Sequence, residues 1–569
     1  MERKVYEFIS KQTNDPIVEW KTCKVSGKEF PVFQSDLDFY EKISPTFAGK
    51  KFQIPTPTLC PEERMRRRLI RRNDRKLYRR ECDATWENII SIYSPDKPYK
   101  VYDQKSRRSD NRDPMKYGRD FDFTKSFTQQ FDALLKEVPA LSLLVKMNEN
   151  CEYVNACGNS KNCYLIFDSD FCEDSMYSSI IKHCKDTIDG LHVYFCEKTY
   201  NCVNCTESYH LLNCYECDRS KFLTNCSKCS GCEFCYNCAN LVNQKYCIDN
   251  KQYSKEEYEK LLSQKKFNYN YAPSLMRMNY TVNDEWGMGN NLYGCKNTKI
   301  SYNMGYTEDM KYCDLVTGAD NCYDVSSYGW ELSWSYEWCS IGSQTSKIYF
   351  SSVITSGIHD VYYCHVIGGG NNLFWCVGLK NKEYCIFNKQ YTKAEYEKIL
   401  PQIIQHMVTT WERGEFPDAS VSQFWYNETI AQEYFPMTRE EALARGYKRQ
   451  DNNYDPVIPQ WAETWKGNQI PTDISTVPDD VLQKIFICEI SGRPFRIVKA
   501  ELEFYRRHGI PLPRRHPDIR HLQRLAQTPE RNLYLRKCDK CQQEKLSVIS
   551  PKIDAKVYCE SCYTKEIYW

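Results

Sequence analysis

Cys538-Asp-Lys-Cys541 and, seventeen residues further on, Cys559-Glu-Ser-Cys562 form two Cys-x-x-Cys pairs. At this separation four thiolates can close tetrahedrally on one Zn²⁺, with Zn–S bonds of about 2.3 Å. Four sulfurs leave no position for water, so the ion this set would hold is structural. Iron suits four thiolates too and is the less favoured metal.

A second kind of chemistry is offered by residues 64–80, where ten of seventeen are basic. Arg66, Arg67, Arg68, Arg71, Arg72, Arg75, Lys76, Arg79 and Arg80 are the candidates for phosphate contacts, with Arg107, Arg108 and Arg112 nearby. Such a face would bind RNA or a ribonucleoprotein in a salt-dependent, largely sequence-independent way. The competing reading is a solvated helix face, or one pairing with acidic residues of the solenoid. Asp168, Asp189 and His210, spaced by 21 residues, would make an acid/base group if they stacked in an open groove. Asp is equally at home in turns without any chemistry.

The elements that carry these residues are set by repeats. Cys163, Cys184, Cys205, Cys226 and Cys247 recur every 21 residues. A fixed period of this size indicates coils that stack on their neighbours, here a parallel β-helix with about 21 residues per coil. Cys226, Cys229, Cys232, Cys235 and Cys238 stand at every third position. Ser, Thr, Leu and Val fill the corresponding slots elsewhere, which favours small buried core groups over a metal cluster. Asn162, Asn204 and Asn225 are expected to form amide ladders.

The two ends resemble each other. Cys23-Lys-Val-Ser-Gly matches Cys488-Glu-Ile-Ser-Gly, and Cys82-Asp83 matches Cys538-Asp539. By that alignment the N-terminal counterparts of the four thiolates are Cys82, Thr85, Asp103 and Ser106, a set too poor in sulfur for zinc. A second degenerate set pairs Cys23 and Ser26 with Cys60 and Glu63, and Cys488 and Ser491 with His516. The middle is duplicated as well, Tyr246-Cys-Ile-Asp-Asn-Lys-Gln-Tyr253 against Tyr384-Cys-Ile-Phe-Asn-Lys-Gln-Tyr391.

The expected architecture is mainly β: a parallel β-helix in two blocks, flanked by two related zinc-ribbon-like domains, with short capping helices. Residues 1–125 would form the degenerate basic domain, 126–147 a capping helix, and 148–253 the first block. A helix and connector at 254–290 lead to the second block at 291–391. A second connector at 392–487 precedes the zinc-ribbon domain at 488–569. A helix is expected after Thr438 and another from Pro478, and Gly368-Gly-Gly-Asn-Asn372 reads as a turn.

Composition narrows the function class. Lys and Arg number 77 against 75 Asp and Glu, so no global field selects nucleic acid or membrane. No stretch approaches the roughly 20 apolar residues of a spanning helix. The odd total of 31 cysteines, with no export signal, suggests thiols or metal thiolates in a reducing cytoplasm.

Leu59-Cys-Pro-Glu-Glu63, Arg72-Asn-Asp-Arg-Lys-Leu-Tyr78, Asn162-Cys-Tyr-Leu165, Phe387-Asn-Lys-Gln-Tyr391 and Cys538-Asp-Lys-Cys541 together resemble a zinc-ribbon, Cys-repeat β-solenoid family of small-genome uncultured bacteria. Some members carry a CoA-transferase label. Neither a Gly-rich nucleotide turn nor the composition of that α/β fold is present here, so the resemblance implies no activity. The reading is a non-catalytic zinc-binding scaffold that contacts RNA or a ribonucleoprotein through 64–80. The alternatives are a protein-interaction scaffold using Trp330, Trp334 and Trp338, or a carbohydrate-active β-helix enzyme.

Overall fold

A computed structural model of the chain describes all residues except 110–112, 266, 268–269, 271–273, 327–328, 341, 453 and 568–569, and the side chain of Arg108. Arg112 and the side chain of Arg108 thus lie outside the described residues. By internal contacts the chain divides into two units: residues 1–142, 277–450 and 530–559, and residues 143–276, 451–529 and 560–569.

The second unit contains the first solenoid, and its geometry follows from one local rule. Every third residue from Met147 to Asp249 has a left-handed backbone, with φ between 47° and 63°. This conformation costs roughly 1–2 kcal/mol per L-residue, least for Asn and Asp, which recur at these corners. Parallel pairing between coils offsets that cost. Each left-handed residue turns the chain, so one side is three residues long.

Cα partners run Asn155 to Phe167, Phe167 to Ser179 and Ser179 to Leu191, each 12 positions apart. A coil is therefore four sides of three residues, not the expected 21. The 21-residue interval is seven sides, a multiple of the same unit, which is why it keeps cysteines inward without stacking them. The true columns include Cys202, Cys214, Cys226 and Cys238, beside the bridged residues Val203, Tyr215, Ser227 and Ala239.

Small inward residues satisfy a specific need of so narrow a coil. The Cys226 thiol reaches the carbonyls of Thr224 at 3.3 Å and Cys235 at 3.5 Å. Ser220 donates likewise to Asp218 O at 2.8 Å. Cysteine combines serine's donor with apolar character, and the core of this solenoid is built largely from it. Amide ladders do form, but 12 residues apart: Asn201 donates to Asn213 at 2.8 Å and Asn213 to Asn225 at 2.9 Å.

The first unit contains the second solenoid, whose strands join one 13-stranded sheet. Its register steps by 12 at Tyr302–Asp314 but by 13 at Tyr323–Tyr336 and Tyr336–Tyr349. The glycines expected to form a turn lie inside the strand His365–Phe374 instead. Gly370, at φ 119°, passes so close to the next coil that a Cβ there would meet Lys382 O at 2.1 Å.

Each solenoid ends in a hairpin and a helix with a capping box, Lys255–Leu262 after Ser254 and Lys393–Thr409 after Thr392. Tyr258 and Tyr396 are buried and sit 5.7 Å, centroid to centroid, from the last-coil residues Tyr246 and Tyr384. These helices cover edges that would otherwise present unpaired backbone. The helix Arg439–Ala444 follows Thr438, whereas Pro478 opens only a short 3₁₀ turn, Asp479–Gln483.

The duplicated ends fold alike. Tyr78–Glu81 pairs antiparallel with Asn88–Ser91, as Tyr534–Lys537 does with Glu544–Ser547, with Tyr78 opposite Ser91 and Tyr534 opposite Ser547.

Candidate metal centre

Cys538 follows the strand Tyr534–Lys537 and enters a tight turn in which Gln542 N donates to Cys538 O at 2.9 Å, with Gln542 left-handed. That turn brings Cys541 back beside Cys538. The second pair straddles the start of the helix Glu560–Ile567. Among the described residues, the ligand atoms of Cys538, Cys541, Cys559 and Cys562 form a group that could hold a metal ion, all within 4.8 Å of one another.

The Sγ atoms of Cys541 and Cys559 lie 3.8 Å apart. A tetrahedral four-sulfur ion with bonds of about 2.3 Å needs sulfur–sulfur edges of about 3.8 Å, the length this edge has. Burial raises the Cys538 thiol, but amide donors from Cys541, Cys559 and Lys540 outweigh it and bring it down to about 6. The Cys559 amide points at the Cys538 sulfur at 3.3 Å. The cradle therefore favours thiolate before any metal arrives.

The N-terminal counterpart keeps the cradle and replaces the ligands. Asp103 N donates to Cys82 Sγ at the same 3.3 Å. Asp103 accepts from Ser106 N at 2.6 Å and from Ser106 Oγ at 2.9 Å, and Cys82 Sγ lies 3.7 Å from its Oδ2. Side chains here hydrogen-bond to each other across the position an ion would take. In the other degenerate sets, Ser26 Oγ lies 3.7 Å from Cys60 Sγ while Glu63 pairs with Arg66 and Arg445. His516 Nδ1 is occupied by Asp518 N at 3.1 Å.

Residues 64–80 are not the exposed basic face that composition suggested. Pro61–Leu69 is a helix packed on the strands Ala319–Ser326 and Tyr336–Cys339 of the second solenoid. Arg66, Arg68, Arg71 and Arg72 are all buried. Arg68 Nη1 meets Asp324 at 3.0 Å and Glu337 at 3.3 Å, and Arg64 Nε meets Asp324 at 2.9 Å.

The remaining basic groups are engaged as well. Arg66 pairs with Glu62 and Glu63, Arg67 with Glu415, Arg72 with Asp74 and Arg80 with Asp83. Arg75 lies 3.9 Å from Glu433. Arg71 donates to the carbonyls of Pro417, Asp418 and Val421. Lys76 is half-buried, and Arg79 alone in this set is exposed. Burial and the neighbouring Arg67 lower Arg71 to about 10, while burial pushes Glu337 up to about 7 against the pull of Arg68. The residues that receive these arginines carried no signal that reading by a 21-residue period could have exposed.

Asp168, Asp189 and His210 do not converge. Being 21 apart in a 12-residue coil, they fall on three different sides. Asp189 is 1% exposed and paired with Arg520 and Arg524, Asp168 is buried, and His210 packs against His508 with ring centroids 5.1 Å apart. Of the three tryptophans, Trp330 is exposed, Trp334 half-buried and Trp338 wholly inside the second core. Among the described residues, no helix is long and apolar enough to cross a membrane. Compared with protein-family models and with curated proteins, the chain matches none.

Proposed function

We propose that the chain is a non-catalytic binding scaffold for a protein partner, with Cys538, Cys541, Cys559 and Cys562 holding one structural Zn²⁺ in a C-terminal zinc ribbon. The observation that carries this reading is the four-sulfur group itself, which has a protein ligand for every tetrahedral position and none left for substrate or water. RNA contact by Arg64 or Arg68 would require them to leave Asp324 and Glu337 in a buried site, at a cost of several kcal/mol per unpaired charge, which confines such contact to Lys76, Arg79 and the half-buried groups beside them. A protein partner makes no such demand. Among the described residues none of the 31 cysteines is joined in a disulfide, which suits a reducing cytoplasm.

The test is recovery of the native protein with its partners, before and after nuclease treatment, alongside RNA binding at low and moderate salt. A protein partner retained after nuclease supports the reading. Tight, salt-sensitive RNA binding that vanishes on neutralising Arg79 and Lys76 would replace it with the ribonucleoprotein reading.

A further inference from the structure

The first solenoid carries an outward column that none of the foregoing uses. Phe171, His183 and Phe195 occupy the same corner of successive coils and stack face to face, with centroids 4.8 and 4.9 Å apart and planes within 4°. Phe171 is 52% and Phe195 59% exposed, and Met147, at the same corner two coils earlier, is 74% exposed. The stacked rings cover each other's faces, so a sugar or a base finds only edges to meet. An apolar stripe of edges suits another apolar protein surface.

The charges beside the stripe indicate which one. Glu149, Lys161, Glu173, Lys185 and Glu197 form an exposed column in which sign alternates with every coil. Within the chain, Lys161 meets Glu149 and Lys185 meets Glu173, each at 3.0 Å. Reversing this column about the midpoint of Glu173 and Lys185 places Glu173 opposite Lys185 and Lys161 opposite Glu197. The same operation sets Asp170 opposite Lys182 on the other flank and Phe171 opposite His183. An alternating column is thus complementary to its own antiparallel copy, whereas a parallel copy related by a two-fold axis along the solenoid would set Asp170 against Glu173 and Lys182 against Lys185.

We propose that this face, centred on Phe171 and His183, is an interface between two copies of the chain packed antiparallel about a two-fold axis. It does not depend on the metal site or on the identity of any protein partner.

Sedimentation equilibrium of the full chain over a wide concentration range tests it. The expected result is a reversible dimer. Phe171→Ser with Phe195→Ser should weaken it at least about tenfold while leaving the thermal unfolding of the monomer nearly unchanged. Lys185→Glu should also weaken it, by setting a second acidic side chain against Glu173 of the other copy, and Glu173→Lys combined with Lys185→Glu should restore it. A monomer at every concentration overturns the proposal. So does a dimer indifferent to the aromatic pair, or a charge reversal that the double exchange fails to rescue.

Discussion

Arg68 Nη1 lies 3.0 Å from Asp324 Oδ1 with both side chains fully buried, and Arg524 Nη1 lies 2.9 Å from Asp189 Oδ1 in the same way. The two pairs occupy equivalent positions of the duplicated chain. Arg64 and Arg520 complete them, each directed at the second oxygen of the same carboxylate. The helices Pro61–Leu69 and Pro517–Leu525 therefore each dock an end segment on a solenoid with two arginines and one corner aspartate. Asp324 and Asp189 both sit at left-handed corners, at φ 56° and 58°.

Removing either aspartate should be costly. Asp324→Asn leaves two buried guanidiniums short of charge, and a loss of about 3–5 kcal/mol in denaturant unfolding is expected. Asp189→Asn should cost a similar amount. A loss under about 1 kcal/mol at both sites would mean that the docking does not rest on these pairs.

The metal site should be single. Elemental analysis of the purified chain should find one zinc ion, lost on Cys562→Ser and unaffected by Cys82→Ser. Chelation should lower the unfolding temperature and open the hairpin Tyr534–Ser547 to hydrogen exchange first, because Cys538 and Cys541 lie in its turn. Two ions per chain would show that Asp103 and Ser106 do not block the N-terminal set.

Inward thiols should tolerate serine better than alanine. Cys226→Ser keeps the donor to Thr224 O and Cys235 O, so a change within about 1 kcal/mol is expected. Cys226→Ala removes it and leaves a small void, for about 1–3 kcal/mol. Cys226→Leu overfills the coil and should cost as much. Equal losses for serine and alanine would show that the thiol acts by volume alone.

The contact of His210 with His508 should make the second unit acid-sensitive. Burial first, and then the neighbouring His210, hold His508 at about 4, and burial followed by Lys198 lowers His210. Arg507 and Lys198 lower His508 further, and Arg507 is itself ion-paired with Asp186 at 3.1 Å. A folded value below the ordinary one, near 6.5, means the unfolded chain takes up the proton first as pH falls. The stabilisation is complete above about pH 6.5 and is lost on descending toward 4. Wild-type melting temperature should fall more steeply over that window than that of His508→Gln, and parallel curves would exclude the contact as the cause.

The sequence alone determined the thiolate tetrad, the duplication of both ends and the stacked β architecture, because each depends on residue types at short, fixed intervals. It also contained the three-residue side, visible in Cys226, Cys229, Cys232 and Cys235. How many sides close a coil was decided only by which strand edges meet. Intervals of 12 and 21 are both whole numbers of sides, and backbone hydrogen bonds alone distinguish them. The same closure brought Asp324 and Glu337 beneath Arg64 and Arg68, turning an apparent phosphate-binding face into a buried docking contact. Charge density along a chain says nothing of burial until the carboxylates that oppose it have been placed in space.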